Sequence, residues 1–300
     1  MSDAKTPTQP QSTSEELIAV RREKLAKLKE LGLDPYGAAF ETTTTPGELR
    51  ANFKDDRPVK LGGRLLAIRD MGKSVFATLG DAHGRIQIYL NKKGVSETDW
   101  EAYQCLDLGD WIGVDGETFT TGKGEPSVKV EKLTVLSKAL RPMPDKWHGL
   151  SDRETKYRKR HLDLMSNQES ADLFVMRSKI VAEIRNFLHA RGYLEVETPM
   201  LHDVAGGAAA KPFETHHNAL SMPLTMRIAP ELHLKRLLVG GLTKVFELNR
   251  NFRNEGISRR HNPEFTMLEA YQAFGDFEIM ADLVEEMVCH LAQKFFGTLQ

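Results

Sequence analysis

Residues 249–271, NRNFRNEGISRRHNPEFTMLEAY, hold the densest chemistry in the chain, and their reading decides the rest. Taken as a strand from Val245, Phe246, Leu248 and Phe252 fall on one face and Glu247, Asn249, Asn251 and Arg253 on the other, because side chains alternate across a strand. The alternation resumes at Phe265: Met267, Glu269 and Tyr271 share its face, and Thr266, Leu268, Ala270 and Gln272 take the opposite one. Residues 254–264 form a polar connection far longer than the roughly two to five residues of an ordinary hairpin loop. Such a loop commonly serves a ligand. A disordered hairpin tip would explain its length and the basic pair Arg259 and Arg260. It would not bring Arg253, Phe265, Glu269 and Tyr271 onto one polar sheet face.

The ordered strings FRNEG (252–256) and RHNPEFTMLE (260–269) resemble motif 2 of the class II aminoacyl-tRNA synthetases, in the wording of their lysine-specific branch. Phe-Arg-x-Glu alone is weakly specific, whereas the whole ordered string is highly specific. The resemblance implies ATP as a substrate. It makes Arg253 the catalytic residue, holding the α-phosphate, and sets Glu255 on the adenine edge, His261 at the outer phosphates and Phe265 stacked on adenine.

A chain of 300 residues with 40% apolar residues is ample for two packed domains. The formal net charge of -1 means that any nucleic-acid contact must come from local basic patches. Two cysteines, Cys105 and Cys289, argue against a disulfide framework and fit a reducing cytoplasm. With no secretory apolar segment and no apolar run near the roughly 18 residues of a membrane span, the expected setting is cytoplasmic, with no membrane partner.

Residues 1–14, rich in Ser, Thr, Pro and Gln, are expected to be a disordered tail. A basic helix and linker follow over 15–58; Leu17, Leu25, Leu28 and Leu31 form a loose apolar stripe, and Arg21, Arg22, Lys24, Lys27 and Lys29 give the charge. That charge fits a solvated face or an RNA-backbone contact equally well. From 59 to 139 the pattern becomes three strands (59–68, 74–81, 85–90), a helix (97–106) and two strands (111–118, 127–137), the order of an OB-fold barrel. Its second and third strands point Val75, Ala77, Leu79, Ile86, Ile88 and Leu90 inward, leaving Phe76, Arg85, Gln87 and Tyr89 outside. An exposed ring among hydrogen-bonding and cationic side chains suits single-stranded bases. Phe76, Gln87, Arg69 and Arg85 are therefore the candidate RNA-binding residues, with the packing of Phe76 under a loop as the alternative. KSVFATLGD and GRIQIY also resemble the lysine-specific branch, in which this domain binds the tRNA anticodon.

Residues 140–155, with two prolines and a glycine in LRPMPDKWHG, are expected to link this barrel to a second domain over 156–300. The cluster 157–160 reads as a solvated or interdomain charge run. The periodicity of 172–190 predicts a helix burying Leu173, Met176, Ile180, Ile184, Phe187 and Leu188, and YLEVET then continues as a strand stopped by Pro199. This order resembles class II motif 1, which implies a homodimer interface. GGAAAKPFETHHNAL (206–220) also resembles the family, but it is no phosphate-cradling P-loop because the GK[ST] ending is absent. Adjacent His216 and His217 would point to opposite faces of a strand, which disfavours one shared metal ion. In RIAPELHLKRLL (227–238), Glu231 stands just past Pro230 at a helix start, where its charge favours the dipole.

The expected fold class is therefore α+β, an N-terminal OB-fold β-barrel followed by the first part of a class II antiparallel sheet with flanking helices. The resemblance implies ATP-dependent activation of lysine and its transfer to tRNA(Lys). It places Gly207, Glu231, Glu269 and Tyr271 around lysine, whose two ammonium groups need carboxylates that are not already paired. The rivals are a non-catalytic tRNA-binding or regulatory relative and a class II ligase for aspartate or asparagine; against the latter, Glu231 and Glu269 would repel an acidic substrate. Nothing after Tyr271 resembles motif 3, and the resemblance implies that the Mg2+ ligands lie with it, so no metal ligands are assigned within 1–300. The expectation is a chain ending before motif 3. Its hairpin edge would be exposed, residues 275–300 would form a helix with Ile279, Leu283, Met287 and Leu291 on one face, and it would show little lysine-dependent pyrophosphate exchange by itself.

Overall fold

A computed structural model describes residues 14–37, 39–144, 150 and 152–300, in two compact units divided after Asp172. The expected tail lies almost wholly outside the described residues, as do 145–149 and 151 of the expected linker.

The first unit contains α1 (Ser14–Glu30), α2 (Pro46–Ala51), β1 (Pro58–Asp70), β2 (Ser74–Gly80), β3 (Arg85–Asn91), α3 (Glu97–Gln104), β4 (Trp111–Thr120) and β5 (Pro126–Ser137). The five strands close into a barrel of order β1-β2-β3-β5-β4, as the sequence predicts for an OB-fold. Closure needs strong curvature, and the register of β1 against β2 shifts between Leu65 and Ala67 to supply it. Val75, Ala77, Leu79, Ile86, Ile88 and Leu90 all point inward, where they meet Leu61, Leu65, Ile112, Val114, Val128 and Val130. Each such Val, Leu or Ile side chain contributes roughly 1.5 to 3 kcal/mol relative to exposure. Between β3 and β4, α3 is capped by Ser96 and buries Trp100 and Ala102 on this core.

Helix α1 is neither a wholly solvated face nor a free basic arm. Arg21 is buried and donates to the carbonyl oxygens of Leu108, Ala139 and Arg141, and Lys24 pairs with Asp107 at 2.6 Å. Two of its five basic side chains thus fasten it to the barrel, and Arg22, Lys27 and Lys29 stay exposed. The charge run at 157–160 is likewise structured, lying in two short helices, α4 (Arg153–Arg158) and α5 (Arg160–Ser166), that local periodicity was too short to reveal. The guanidinium groups of Arg153 and Arg160 lie 5.6 and 5.4 Å from the Tyr157 ring centre.

Helix α6 (Gln168–Ala190) begins four residues before its expected start and spans the division between units. Ile184, Phe187 and Leu188 pack on the second unit's core, but Leu173 is 66% exposed, so the predicted apolar face is buried only along its C-terminal half. After α6 come β6 (Leu194–Glu195), β7 (Leu201–His202), β8 (Glu214–His217), β9 (Met222–Met226), α7 (Glu231–Val239), β10 (Lys244–Phe252), β11 (Glu264–Gln272) and α8 (Phe277–Phe296). Two three-stranded sheets result, β11-β10-β6 and β7-β9-β8; β6 is much shorter than YLEVET suggested and runs parallel to β10. The first sheet lays Phe246, Leu248, Leu268 and Ala270 against Phe187, Leu188 and Tyr193, with Leu283 and Met287 of α8 closing the layer. Ile279, assigned to the same stripe, is instead 42% exposed.

Helices α6 and α8 are also joined through Glu183, whose carboxylate accepts from Lys294 and from His290, each at 2.6 Å. These bonds, led by Lys294, hold the carboxyl down from the ordinary 4.5 to about 2. A depressed carboxylate stabilises the fold above its unfolded pKa and loses that contribution as pH falls through the folded value. The difference in unfolding midpoint between the native chain and Glu183→Gln is expected to be full near neutrality and to vanish between pH 4.5 and about 2. Midpoints that stay in constant offset over that window would show that the junction does not act through this charge.

Candidate functional site

The hairpin register sets every candidate side chain. Glu247 stands opposite Glu269, Asn249 opposite Met267, and Asn251 opposite Phe265, so the polar face predicted for each strand is one continuous surface. Residues 253–263 connect the strands, the Arg253 amide donating to the Pro263 carbonyl at 2.9 Å.

At the loop end, a cavity of about 310 Å³ is lined by Arg253, Glu255, Arg260, His261, Asn262 and Phe265 among others. All four side chains predicted for ATP therefore meet in one space. The Arg253 guanidinium carbon lies 5.2 Å from the centre of the Phe265 ring, a stacked cation–π contact, and its Nε is buried without a hydrogen-bond partner. Glu255 is exposed, accepting from the Lys211 amide at 3.4 Å, while the Asn254 amide donates to the Lys211 carbonyl at 2.7 Å. His261 is held by Ser258, with Nδ1 and Oγ 2.7 Å apart. Arg260 and Asn262 were not singled out beforehand because a loop has no periodicity from which to infer direction.

Toward the other end lie Glu269 and Tyr271, on the wall of an open groove of about 510 Å³ that continues to Asp276 and Phe277. The Tyr271 hydroxyl donates to Glu269 Oε2 at 3.1 Å. Burial foremost, then the charge of Glu231, raises the Glu269 carboxyl above the ordinary range; burial and Glu269 raise the Tyr271 phenol. Glu269 thus accepts from an uncharged phenol, whereas Glu231 is not the unpaired carboxylate that the sequence suggested. Glu231, the first residue of α7, pairs with Lys235 at 2.5 Å, one helical turn on. That ammonium lies 5.9 Å from the Tyr271 ring centre. With Lys235 more than half exposed, the pair is worth at most about 1 kcal/mol and is readily exchanged.

Gly207 touches this end, and the close approach that it permits is to Glu231. A Cβ at Gly207 would stand 3.0 Å from the Glu231 Cβ and 3.3 Å from that of Ala229, and its φ of +88° itself favours glycine. His216 and His217 lie exposed on β8, and among the described residues no group of three or more His, Cys, Asp or Glu side chains is arranged to hold a metal ion.

Beneath the face is a buried polar layer that the sequence reading did not find. Arg227 and Glu247 form a fully buried ion pair at 2.6 Å, and the Thr198 hydroxyl donates to the second Glu247 oxygen at 2.6 Å. Asn251 is also buried, with neither carboxamide atom hydrogen-bonded. Glu247 and Asn251 were assigned to the correct face; Arg227 comes from a distant irregular segment, and nothing in the sequence pairs it with β10.

On the barrel, strand register lines up Arg69, Phe76, Tyr89 and Lys129 across β1, β2, β3 and β5. The next row contains Thr78, Gln87 and Ser127, with Gln87 Nε2 donating to Ser127 Oγ at 2.8 Å. Arg69 and Arg85 are exposed, while Phe76 is half-buried, its ring 4.9 Å from that of Tyr89, which in turn lies 5.9 Å from Phe119. The face is thus a three-ring platform rather than one isolated phenylalanine. Phe119 and Lys129 join it only through the register of β4 and β5.

Residues 152–300 match the family model described as tRNA synthetases class II (D, K and N), and residues 59–136 match the OB-fold nucleic acid binding domain. The chain belongs to the class II aminoacyl-tRNA synthetase family. Among curated relatives, this synthetase chain is 54% identical over 287 residues to the lysine-tRNA ligase of Carboxydothermus hydrogenoformans, covering 95% of the chain and 59% of the relative. Identity is 55% over 285 residues to the lysine-tRNA ligase of Moorella thermoacetica, with 94% of the chain and 58% of the relative covered. It is 52% over 293 residues to that of Staphylococcus haemolyticus, covering 94% and 59%. The chain therefore spans about 59% of the length of these relatives.

Proposed function

We propose that this synthetase chain contributes the motif-2 half of a lysine-activating site and an anticodon-binding barrel for tRNA(Lys). The observation that carries the proposal is the one cavity that Arg253, Glu255 and His261 of the loop surround together with Phe265, from which Glu269 and Tyr271 continue along the same face of β11.

The chemistry is adenylate formation. A carboxylate oxygen of lysine attacks the α-phosphorus of ATP, the bond to the bridging oxygen breaks, and pyrophosphate leaves with its electron pair. The tRNA terminal hydroxyl then attacks the lysyl carbonyl and AMP departs. No enzyme nucleophile is required; positioning and charge neutralisation suffice. Arg253 meets the α-phosphate with its guanidinium charge, which faces the loop cavity. Because the guanidinium covers one face of Phe265, adenine takes the other, with Glu255 at its edge and His261 toward the outer phosphates. ATP would bring Mg2+ as its phosphate complex; among the described residues no group of three or more His, Cys, Asp or Glu side chains is placed to hold the ion.

Lysine as substrate is supported by the carboxylates of Glu231 and Glu269, which would attract a cationic side chain and repel an acidic one; Glu231 already holds the ammonium of Lys235 at 2.5 Å. Pyrophosphate exchange by the protein that carries this chain, measured with lysine, aspartate and asparagine, tests the assignment. Stimulation by lysine supports it, and stimulation by aspartate or asparagine in its place overturns it.

Homodimerisation through α6 is part of the proposal, on the resemblance to motif 1 and the exposure of Leu173 and Val175. A cytoplasmic setting fits the two free thiols and the absence, among the described residues, of a helix long and apolar enough to cross a membrane. For the barrel, Phe76→Ala is expected to weaken tRNA binding by roughly 1 to 3 kcal/mol, the worth of one base stack, without loss of fold. Tyr89 and Phe119 remain to bind other bases, so the loss should be partial. Filter binding with tRNA(Lys) measures it, and unchanged affinity would remove Phe76 from the interface.

A further inference from the structure

The β10–β11 register places the Glu247 and Glu269 side chains directly opposite each other on one sheet face. Like charges in that relation destabilise a sheet, more so where water is partly excluded. Arg227 pairs with Glu247 of this couple and is fixed at several points, with its Nη2 left unpartnered. Its Nη1 donates to Glu247 Oε1 at 2.6 Å and to Thr198 Oγ1 at 3.2 Å, and its Nε donates to the Arg250 carbonyl at 2.9 Å. Its amide donates to Met200, and its carbonyl accepts from the Phe252 amide. Held at both ends, the guanidinium cannot swing toward Glu269 without abandoning Glu247.

We propose that Arg227 is a positioning residue for substrate charge: by cancelling Glu247 it leaves Glu269 as the ionised carboxylate offered to the substrate ammonium. The consequence for lysine rests on reading Glu269 as a lysine ligand; the consequence for Glu269 itself does not. The groups facing Glu269 are Tyr271 on its own strand, Glu247 on β10, Glu231 and through it Lys235 on α7, Arg227, and Asp276 farther along the groove. Burial, Glu231 and Glu247 push its carboxyl up, and the Tyr271 hydrogen bond and Arg227 pull it down.

The test is a carbon-13 NMR titration of glutamate side-chain carboxyls in the ligand-free chain, with the Glu269 resonance assigned by its loss in Glu269→Gln. In Glu247→Gln the amide keeps the shape while freeing the Arg227 charge, and the Glu269 midpoint should fall by about one unit, the lower end of the effect of a nearby charge. An unmoved or raised midpoint overturns the proposal. Because loss of the Glu247 charge alone also lowers that midpoint, the double replacement Arg227→Met with Glu247→Met is measured beside it, removing both charges together. The Glu269 midpoint should then match that of the native chain, and a displacement would overturn the proposal. Isothermal calorimetry separates the two layers. Native chain that binds no lysine while Glu269 still shifts in Glu247→Gln refutes the lysine reading alone. Native chain that binds lysine with Glu269 unmoved in that variant refutes the role of Arg227 alone.

Discussion

Replacing Arg253 by alanine is expected to lower lysine-dependent pyrophosphate exchange by about 100 to 1,000-fold in the protein that carries this chain, the usual loss when one preorganised donor to developing charge is removed. The side chain extends from just past the end of β10 into the loop cavity, with its guanidinium carbon over the Phe265 ring at 5.2 Å. The charge is therefore in place before ATP arrives. Lysine at this position should rescue little, since an ammonium has neither the fork nor the flat face that stacks. The half-buried side chain supports no core contact, so the thermal unfolding midpoint should hold while exchange collapses. Exchange within a few-fold of the native rate in the alanine variant would remove Arg253 from the reaction.

The second large effect is expected at the other end of the hairpin. Glu269→Gln should weaken lysine binding by about 2 to 5 kcal/mol, the cost of leaving a desolvated charge without its partner, and ATP binding far less. Glu231→Gln should do likewise but to a smaller degree, because Glu231 already neutralises Lys235 at 2.5 Å and an incoming ammonium has to displace that partner. The raised Glu269 carboxyl adds a pH dependence. Lysine binding should weaken on acidification at a higher pH than for an ordinary glutamate, and Glu269→Gln should lose that dependence. Calorimetry with lysine and with ATP on each variant measures this, and equal loss of both ligands would mean that the glutamates support the fold rather than the substrate.

Periodicity alone located the strands and helix of the barrel, with ends displaced by one or two residues, because a closed sheet buries every second side chain and writes period two into the chain. It also placed Glu247, Asn249 and Asn251 on one face of β10 and Phe265, Glu269 and Tyr271 on one face of β11, while Arg253, counted with the first strand, stands one residue past its end. The resemblance in motif 2 then assigned roles that no periodicity carries. What the sequence by itself determined was which residues share a face. Which residues share a space was decided by tertiary structure alone. Whether Arg21 is solvated depends on carbonyls at 108, 139 and 141, and whether Glu231 is free depends on Lys235 one turn along its helix. Arg227 reaches Glu247 across twenty residues of chain through an irregular segment. A buried charge chooses its partner by distance and desolvation, and neither quantity is defined until the backbone has closed around it.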